Sequence, residues 1–151
     1  MIPYFQKISN SFAKFDNKNY ILNGKPLFLR TVLDQGFYKD GIYTAKTDEE
    51  LVKDIHLSMD LGFNGARLHQ KVFEPRFLYH CDKAGYMVWA EFPNWITIAN
   101  DQTLRTILPQ WTEEIDRDFN HPSIIGWCPF NEMGGFVDGE WRRVWREPGS
   151  E

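Results

Sequence analysis

The chain has 151 residues, of which 42% are hydrophobic, enough to form the core of one domain. Its 17 basic and 21 acidic side chains give a net charge of −4 and form no basic stripe that would follow a nucleic-acid backbone. No run of about 18 apolar residues predicts a membrane span, and the two cysteines lack the CxxC spacing of a metal or redox site. We therefore expect no nucleic-acid partner, no membrane partner, no metal and no cofactor.

The first predicted elements are a hairpin and a long strand. The dipeptide Asn23-Gly24 is typical of a type I′ turn, and it separates the apolar residues 20–22 from residues 26–33. We interpret residues 26–33, with the sequence PLFLRTVL, as the first strand of the main sheet.

The first helix is predicted from a capping box. Thr47 is followed three residues later by Glu50, so each side chain is expected to bond the backbone N–H of the other. Gly62 supplies a left-handed stop, and residues 63–68 are predicted to be the second strand. The buried face of this helix is expected to contain Leu51, Val52, Ile55 and Met59.

Two further helix–strand units follow. Pro75 suits the first turn of the second helix, Gly85 ends it, and residues 86–92 form the third predicted strand. The third helix is expected to begin near Pro109 or a few residues earlier, and His121-Pro122 ends it. Residues 124–130 are apolar throughout, which predicts a fourth strand covered on both faces.

Alternating strands and helices predict an α/β fold of right-handed βαβ units, in either a doubly wound sheet or a closed barrel. Periodicity does not distinguish the two. Polar residues cluster where the predicted strands end, and in barrels the chemistry lies at the carboxyl ends of the strands. These residues are Asp34, Gln35, Arg67, His69, Gln70, Glu91, Asn131 and Glu132.

Glu132 is the principal candidate for chemistry. It follows the fourth strand, and we expect its carboxyl group to lie against Trp127 and Phe130. An apolar setting keeps a carboxylic acid protonated, so that it can donate to a leaving-group oxygen. The alternative is that Asn131-Glu132 only caps the next turn.

Four blocks of the chain resemble glycoside hydrolase family 2. Residues 118–132, DFNHPSIIGWCPFNE, resemble the acid/base signature of that family, and residues 64–70, NGARLHQ, resemble its block after the second strand. Residues 81–95 resemble its third strand, which ends in an acidic residue matched by Glu91. The segment that begins at Leu22, LNGKPLFLRT, resembles the entry to its barrel.

The resemblance implies a retaining β-glycosidase on a (β/α)8 TIM barrel, with Glu132 as general acid/base and a nucleophile after the seventh strand. A complete barrel takes roughly 250 residues, so we expect residues 21–151 to be the first half of the barrel, with strands one to four and their helices. Residues 1–20 would connect a preceding β-sandwich domain. The isolated chain is expected to be nearly inactive.

The resemblance also implies substrate-binding residues. Asn131, Arg67, His69 and Glu91 are expected to line the sugar site. Trp95, just after the third strand, is expected to stack on a sugar face, and the alternative is that it packs as an anchor of its loop. The alternative for Arg67 and His69 is a structural pair, Arg–Glu or His–carbonyl, that supports the barrel. Pro93 replaces a histidine that holds a cation beside the acidic residue in some relatives, and no HExxH spacing occurs, so we expect no metal.

Three hypotheses follow for function. The first is that the parent enzyme hydrolyses terminal β-linked sugars, β-galactosides above all. The second is a non-catalytic carbohydrate-binding protein. The third is self-association of the chain as a homo-oligomer, because an open half barrel leaves two sheet edges and one apolar face exposed.

Overall fold

The computed structural model describes residues 13–16, 19–93 and 101–131. Three short strands form an antiparallel sheet in the order β1 (Ala13–Asp16), β2 (Asn19–Leu22) and β3 (Lys25–Leu27). A second sheet is wholly parallel, in the order β4 (Thr31–Asp34), β5 (Gly65–Leu68), β6 (Met87–Glu91) and β7 (Ile124–Cys128). Helices α1 (Asp48–Asp60), α2 (Pro75–Ala84) and α3 (Asp101–Asp118) connect its strands. The predicted α/β alternation of four parallel strands with three helices is confirmed.

The hairpin between β2 and β3 is the one predicted from its turn residues. Asn23 and Gly24 have φ angles of 53° and 77°, and Leu22 pairs with Lys25 across the turn. Both central residues of a type I′ turn need positive φ, which asparagine and glycine tolerate best. The prediction is confirmed.

The prediction of one strand over residues 26–33 is wrong. Residues 25–27 pair with β2 in the antiparallel sheet, whereas β4 begins only at Thr31 in the parallel sheet. The chain between them is held by the side chain of Asn64, which donates to the Phe28 carbonyl over 2.9 Å and accepts from the Arg30 N–H over 2.8 Å. These side-chain bonds replace a strand ladder there.

Helix α1 begins where predicted, but the predicted capping box is wrong. Thr47 is the N-cap residue and makes no side-chain capping bond. The carboxylate of Glu50 instead accepts from the backbone N–H of Lys46 over 2.7 Å, one residue before the predicted donor. Gly62, with φ of 90°, ends the turn after the helix in the left-handed region, as predicted.

Helix α2 agrees with its sequence signals, and α3 does not. Pro75 lies in the first turn of α2, and Gly85 caps it with φ of 70°. Helix α3 begins at Asp101, so Pro109 lies inside the helix, not near its start. Proline removes one backbone donor there, while Gln110 Nε2 and Thr112 Oγ1 donate to nearby carbonyls of the same helix. Helix α3 thus extends further towards its N-terminus than the proline predicts.

The core lies between the parallel sheet and helices α1 and α2. Full burial of a large apolar side chain contributes about 1.5–3 kcal/mol. Fully buried contributors come from both layers: Leu51 and Ile55 of α1, Ala66 and Leu68 of β5, Phe77, Leu78 and Cys81 of α2, and Val88 of β6. None of the helices in the described ranges is long and apolar enough to cross a membrane.

The other face of the sheet is open, which corrects the expectation that β7 is covered on both faces. Every residue of β7 is only partly buried. Leu33, Arg67, Trp89 and Gly126 form one row across the four strands by register. Two of them are exposed, Leu33 at 50% and Trp89 at 45%. The described residues cover the outer, helix-bearing face and leave the inner face accessible.

Candidate active site

The parallel sheet brings the predicted polar residues together at the carboxyl ends of its strands, which we call the carboxyl edge of the sheet. All four strands run in the same direction, so the residues at their carboxyl ends meet there. Of the predicted site residues, the structure describes Arg67, His69, Glu91 and Asn131. Glu132 and Trp95 lie outside the described residues, so their assigned roles stay predictions.

Glu91 is the centre of this group. It ends β6, and its side chain is 0% exposed. Arg67 Nε donates to Glu91 Oε2 over 2.6 Å, and Arg67 Nη2 lies 2.5 Å from the same oxygen. The backbone N–H of Gln70 donates to Oε1 over 3.0 Å. Both carboxylate oxygens therefore have protein donors, which compensates for the loss of water around a buried charge.

Arg67 connects this carboxylate to the fourth strand. Its Nη2 donates to Asn131 Oδ1 over 2.7 Å. A guanidinium has donors only, so the amide of Asn131 must present its oxygen to Arg67 and its NH2 group to the other side. Asn131 is only 8% exposed. The side chains of strands β5 and β6 thus set the orientation of the residue that directly precedes Glu132.

His69 approaches the same carboxylate without a short hydrogen bond. Its Nε2 lies 3.8 Å from Glu91 Oε1, and its backbone N–H donates to the Asp34 carbonyl over 2.7 Å. Its Nδ1 is buried and has no hydrogen-bond partner among the described residues. Buried polar atoms are nearly always bonded, so Nδ1 is the atom of this group whose hydrogen bond is unmet within the described chain.

The backbone after β5 bends so that Gln70 reaches Glu91. Gln70 has φ of 53°, in the left-handed region that non-glycine residues seldom adopt. This conformation directs its N–H at the carboxylate. Gln70 thus contacts Glu91 through its main chain, a contribution that residue type alone does not reveal.

The carboxyl group of Asp34, at the end of β4, bonds the backbone of the turn that follows it. Its Oδ1 accepts from the Gly36 N–H over 2.8 Å. Burial raises the pKa of Asp34 above its ordinary value, opposed by the Gly36 N–H and the charge of Lys71. Its carboxyl group therefore orders the start of the following loop.

Trp127 lies on the helix side of the sheet, and because Glu132 lies outside the described residues, the predicted contact between the two stays a prediction. It pairs with Ala90, which is buried on the helix side, and its ring meets Trp111 of α3 edge-on, with centroids 5.7 Å apart. A register shift opposite Val88 and Trp89 interrupts the alternation near the start of β7, before Trp127.

Cys128 pairs with Glu91 on the inner side of the sheet. Burial is the largest cause that raises the pKa of the Cys128 thiol, and the negative charge of Glu91 raises it further. Its Sγ donates to the Phe130 carbonyl over 3.3 Å.

Lys71 is the residue at this edge that sequence reasoning missed. It is 4% exposed, and its Nζ donates to the carbonyls of Gly36 and Tyr43, each over 2.6 Å. The aromatic side chains after β4 were the available signal, because a buried ammonium favours carbonyls and ring faces. No cluster of three or more metal-binding side chains occurs in the part of the chain that the structure describes.

Comparison with known proteins identifies relatives of this arrangement. The family described as glycosyl hydrolases family 2, TIM barrel domain, matches residues 13–141. A β-galactosidase of Photobacterium profundum is 33% identical over 121 residues, which cover 75% of this chain and 12% of that protein. The chain spans less than a fifth of the length of the curated relatives it matches.

Solved structures give the same fold. A β-D-glucuronidase of Dictyoglomus thermophilum superimposes with a TM-score of 0.76 at 25% identity, covering 89% of this chain and 26% of that one. A Bacteroides uniformis β-glucuronidase gives a TM-score of 0.69 at 31% identity, covering 78% of this chain and 14% of that one. The four parallel strands therefore correspond to strands of a TIM barrel.

Proposed function

The chain belongs to glycoside hydrolase family 2, and from this we propose that it carries the sugar-binding and acid/base part of a retaining β-glycosidase. The observation that carries the proposal is the contact between Arg67 and Asn131 Oδ1, 2.7 Å long, beside the buried Glu91. This contact fixes the orientation of the Asn131 amide at the end of the fourth strand, one residue before the acid/base candidate Glu132.

We propose that Glu132 protonates the glycosidic oxygen as the bond breaks and then takes a proton from the attacking water. A retaining glycosidase needs one carboxyl group that changes from acid to base in this way. Its position directly after Asn131, whose orientation Arg67 sets, supports this role. A position at the end of a barrel strand supports it as well.

Asn131 and His69 are the residues that we propose bind sugar hydroxyls. The NH2 group of Asn131 is on the side of its amide away from Arg67, and His69 Nδ1 has no partner among the described residues. Glu91 has a different role in this proposal. Its carboxylate is buried and accepts from Arg67 and Gln70, so Arg67 and Glu91 act as positioning residues for Asn131.

The charge at this edge supports a neutral sugar, and we propose a terminal β-galactoside. The guanidinium of Arg67 is neutralised by Glu91, and the Lys71 ammonium is buried under two carbonyls. Neither cation is in the exposed, unpaired state that would favour the carboxylate of a glucuronide.

The nucleophile is proposed to come from outside these 151 residues. Retention requires a second carboxylate about 5–5.5 Å from the acid/base. Among the described strand ends, Asp34 accepts from the Gly36 N–H and Glu91 from Arg67, so neither carboxylate is available for attack. The isolated chain is thus expected to bind sugar and turn over little of it.

Binding and chemistry are tested separately. Titration of the chain with methyl β-D-galactoside should shift the backbone amide resonances of His69 and Asn131, and methyl β-D-glucuronide should bind less tightly. Asn131→Ala and His69→Ala should each weaken galactoside binding about tenfold, the effect of losing one buried hydrogen bond. The exposed residues Asn120 and His56 provide matched alanine controls. Binding that is unaffected by both site variants contradicts the proposal.

The acid/base role is tested in an enzyme with a nucleophile. Residues 13–141 replace the matching segment of the Photobacterium profundum β-galactosidase. Glu132→Gln should slow hydrolysis of methyl β-D-galactoside about 10²–10⁴-fold. The kcat/KM for the 2,4-dinitrophenyl glycoside, which reports the bond-breaking step and not the later attack of water, should fall much less, because that leaving group departs without protonation. An equal loss for both substrates would remove Glu132 from this role.

We propose self-association as a second property, on the strength of the open inner face. Leu33 and Trp89 are exposed there, and among the described strands β4 and β7 each pair on one side only. A twofold axis along the barrel axis would place β4 beside β7 of a second copy and close eight parallel strands.

A further inference from the structure

The loop between β4 and α1 presents two aromatic rings to solvent. Phe37 is 61% exposed and Tyr43 is 48% exposed. Their rings meet edge-on, with centroids 5.6 Å apart. Isolated exposed apolar residues are common on protein surfaces, but a pair in a fixed mutual geometry is an apolar surface suited to a flat ring.

The side chain of Lys71 bonds the backbone beside both of these rings. Its Nζ donates to the carbonyls of Gly36 and Tyr43, so one buried ammonium fixes the loop at two points beside the two rings. The same Nζ lies 4.5 Å from the centroid of the Tyr43 ring and 4.9 Å from that of Phe73. The backbone that carries the two rings is therefore fixed by the side chain of Lys71.

The loop itself is closed by its own backbone. Tyr38 and Ile42 exchange two N–H···O bonds of 2.9 Å each. Ile42 has φ of 55°, a conformation that is unusual for a β-branched residue, and a Cβ at Gly41 would lie 1.8 Å from the Thr44 carbonyl oxygen. Strained conformations persist where the surroundings determine them, and they cluster at binding sites. The loop is preorganised.

This loop is continuous with the sugar-binding edge. The Asp34 carbonyl accepts from the His69 N–H, and the Asp34 carboxylate fixes Gly36 at the start of the loop. Lys71 directly follows Gln70, whose N–H bonds Glu91. The two rings thus lie in the loop after β4, whose backbone is bonded by residues 69 and 71.

We propose that Phe37 and Tyr43 form the platform for the leaving group of the glycoside, and that this leaving group contains a flat ring with an apolar face. The inference rests on the proposed function and adds a specificity determinant to it. Polar residues of the site suit the hydroxyls of the terminal sugar, whereas two rings suit the C–H face of a second sugar or an aryl group.

The test compares two ligands that differ only in the leaving group. The chain is titrated with methyl and phenyl β-D-galactoside, and both dissociation constants are measured by NMR. The phenyl glycoside should bind about three- to tenfold more tightly, the range for one aromatic contact, and should shift the amide resonances of Phe37 and Tyr43. In the Phe37→Ala/Tyr43→Ala variant the two constants should become equal.

Phe119→Ala is the matched control. Phe119 is also 61% exposed, but it precedes β7 and therefore lies near the amino ends of the parallel strands, away from the two rings. This variant should retain the wild-type preference for the phenyl glycoside. Lactose, measured in parallel, identifies the kind of ring that binds. If the Phe37→Ala/Tyr43→Ala variant loses affinity for lactose as well as for the phenyl glycoside, a second sugar occupies the platform. If it loses affinity for the phenyl glycoside alone, an aryl group occupies it.

The outcomes separate this inference from the proposed function. If methyl β-D-galactoside binds but the phenyl preference is absent, or survives in the double variant, the platform is wrong and the proposed function stands. An equal loss of both ligands in the double variant also overturns the platform, because the rings would then only support the fold. If methyl β-D-galactoside does not bind at all, the proposed function fails, and the inference that rests on it fails too.

Discussion

His121 Nδ1 lies 2.6 Å from Asp82 Oδ2, and this contact joins the segment before β7 to helix α2. The other oxygen of the same carboxylate accepts from the Ser123 N–H over 2.9 Å. Asp82 is 3% exposed. The His-Pro-Ser part of residues 118–132 therefore fastens the start of β7 to α2.

Asp82→Ala tests this fastening. The variant leaves the buried Ser123 N–H without its acceptor and His121 without its partner, so the free energy of unfolding should fall by about 2–4 kcal/mol. Urea denaturation followed by circular dichroism measures the change. Asp116→Ala, on the exposed face of α3, is the control and should change it by about 0.5 kcal/mol or less. A loss no greater than the control's would show that Asp82 fastens nothing.

Arg67→Met tests the buried carboxylate. Removing the guanidinium leaves the buried carboxylate of Glu91 without its ion-pair partner, although the Gln70 N–H and the Cys128 thiol remain beside it, so the free energy of unfolding should fall by about 3–5 kcal/mol. Affinity for methyl β-D-galactoside should fall as well, because Asn131 loses the donor that orients it. Chemical denaturation and the same NMR titration give the two readouts.

The double variant Arg67→Met/Glu91→Gln separates stability from positioning. Neutralising the buried carboxylate should restore part of the lost stability, whereas sugar affinity should stay low because Asn131 still lacks Arg67. Recovery of both quantities together would mean that Arg67 acts only by stabilising the fold.

Glu114 predicts a pH dependence of stability. It is 6% exposed on α3, four residues before the buried Asp118. Burial first, and then the charge of Asp118, raise the pKa of Glu114 to about 7, with Arg117 opposing. A folded-state pKa above the unfolded value means that stability falls as pH rises from about 4.5 to about 7.

Glu114→Gln should remove this contribution. The unfolding midpoint in urea should be higher for the variant than for the parent at pH 8, and the two should converge towards pH 4.5. The two proteins differ only at this side chain, so the pH-dependent part of the difference reports the ionisation of Glu114 together with its charge interaction with Asp118. A difference that does not depend on pH would assign the effect to something other than ionisation.

Self-association is tested at the open face. Sedimentation equilibrium should show a dimer that dissociates on dilution, and Trp89→Lys should shift it to a monomer because a charge at the centre of the joined faces would be desolvated. Phe119→Lys, away from this face, should leave the dimer intact. A parent chain that is monomeric at all accessible concentrations contradicts the proposal.

The local elements were largely predictable, because each rests on residues that are neighbours in sequence. Asn23-Gly24 predicted the hairpin, Gly62 and Gly85 the helix ends, and Pro75 the start of α2. Where such signals failed, a distant partner intervened. Asn64 bonds Phe28 and Arg30, more than thirty residues earlier, and so divides the predicted first strand.

The sequence by itself determined the family, the order of strands and helices along the chain, and the presence of Arg67, His69, Glu91 and Asn131 at the carboxyl ends of the parallel strands, but not that of Lys71. Only the tertiary structure decided how those residues bond. The partners of Glu91 are 21 and 24 positions away, and Lys71 reaches carbonyls 28 and 35 positions away. The physical reason is that hydrogen bonds depend on distances of about 3 Å. Residue type and spacing limit which groups can approach each other, but the register of the strands and the course of the loops set those distances.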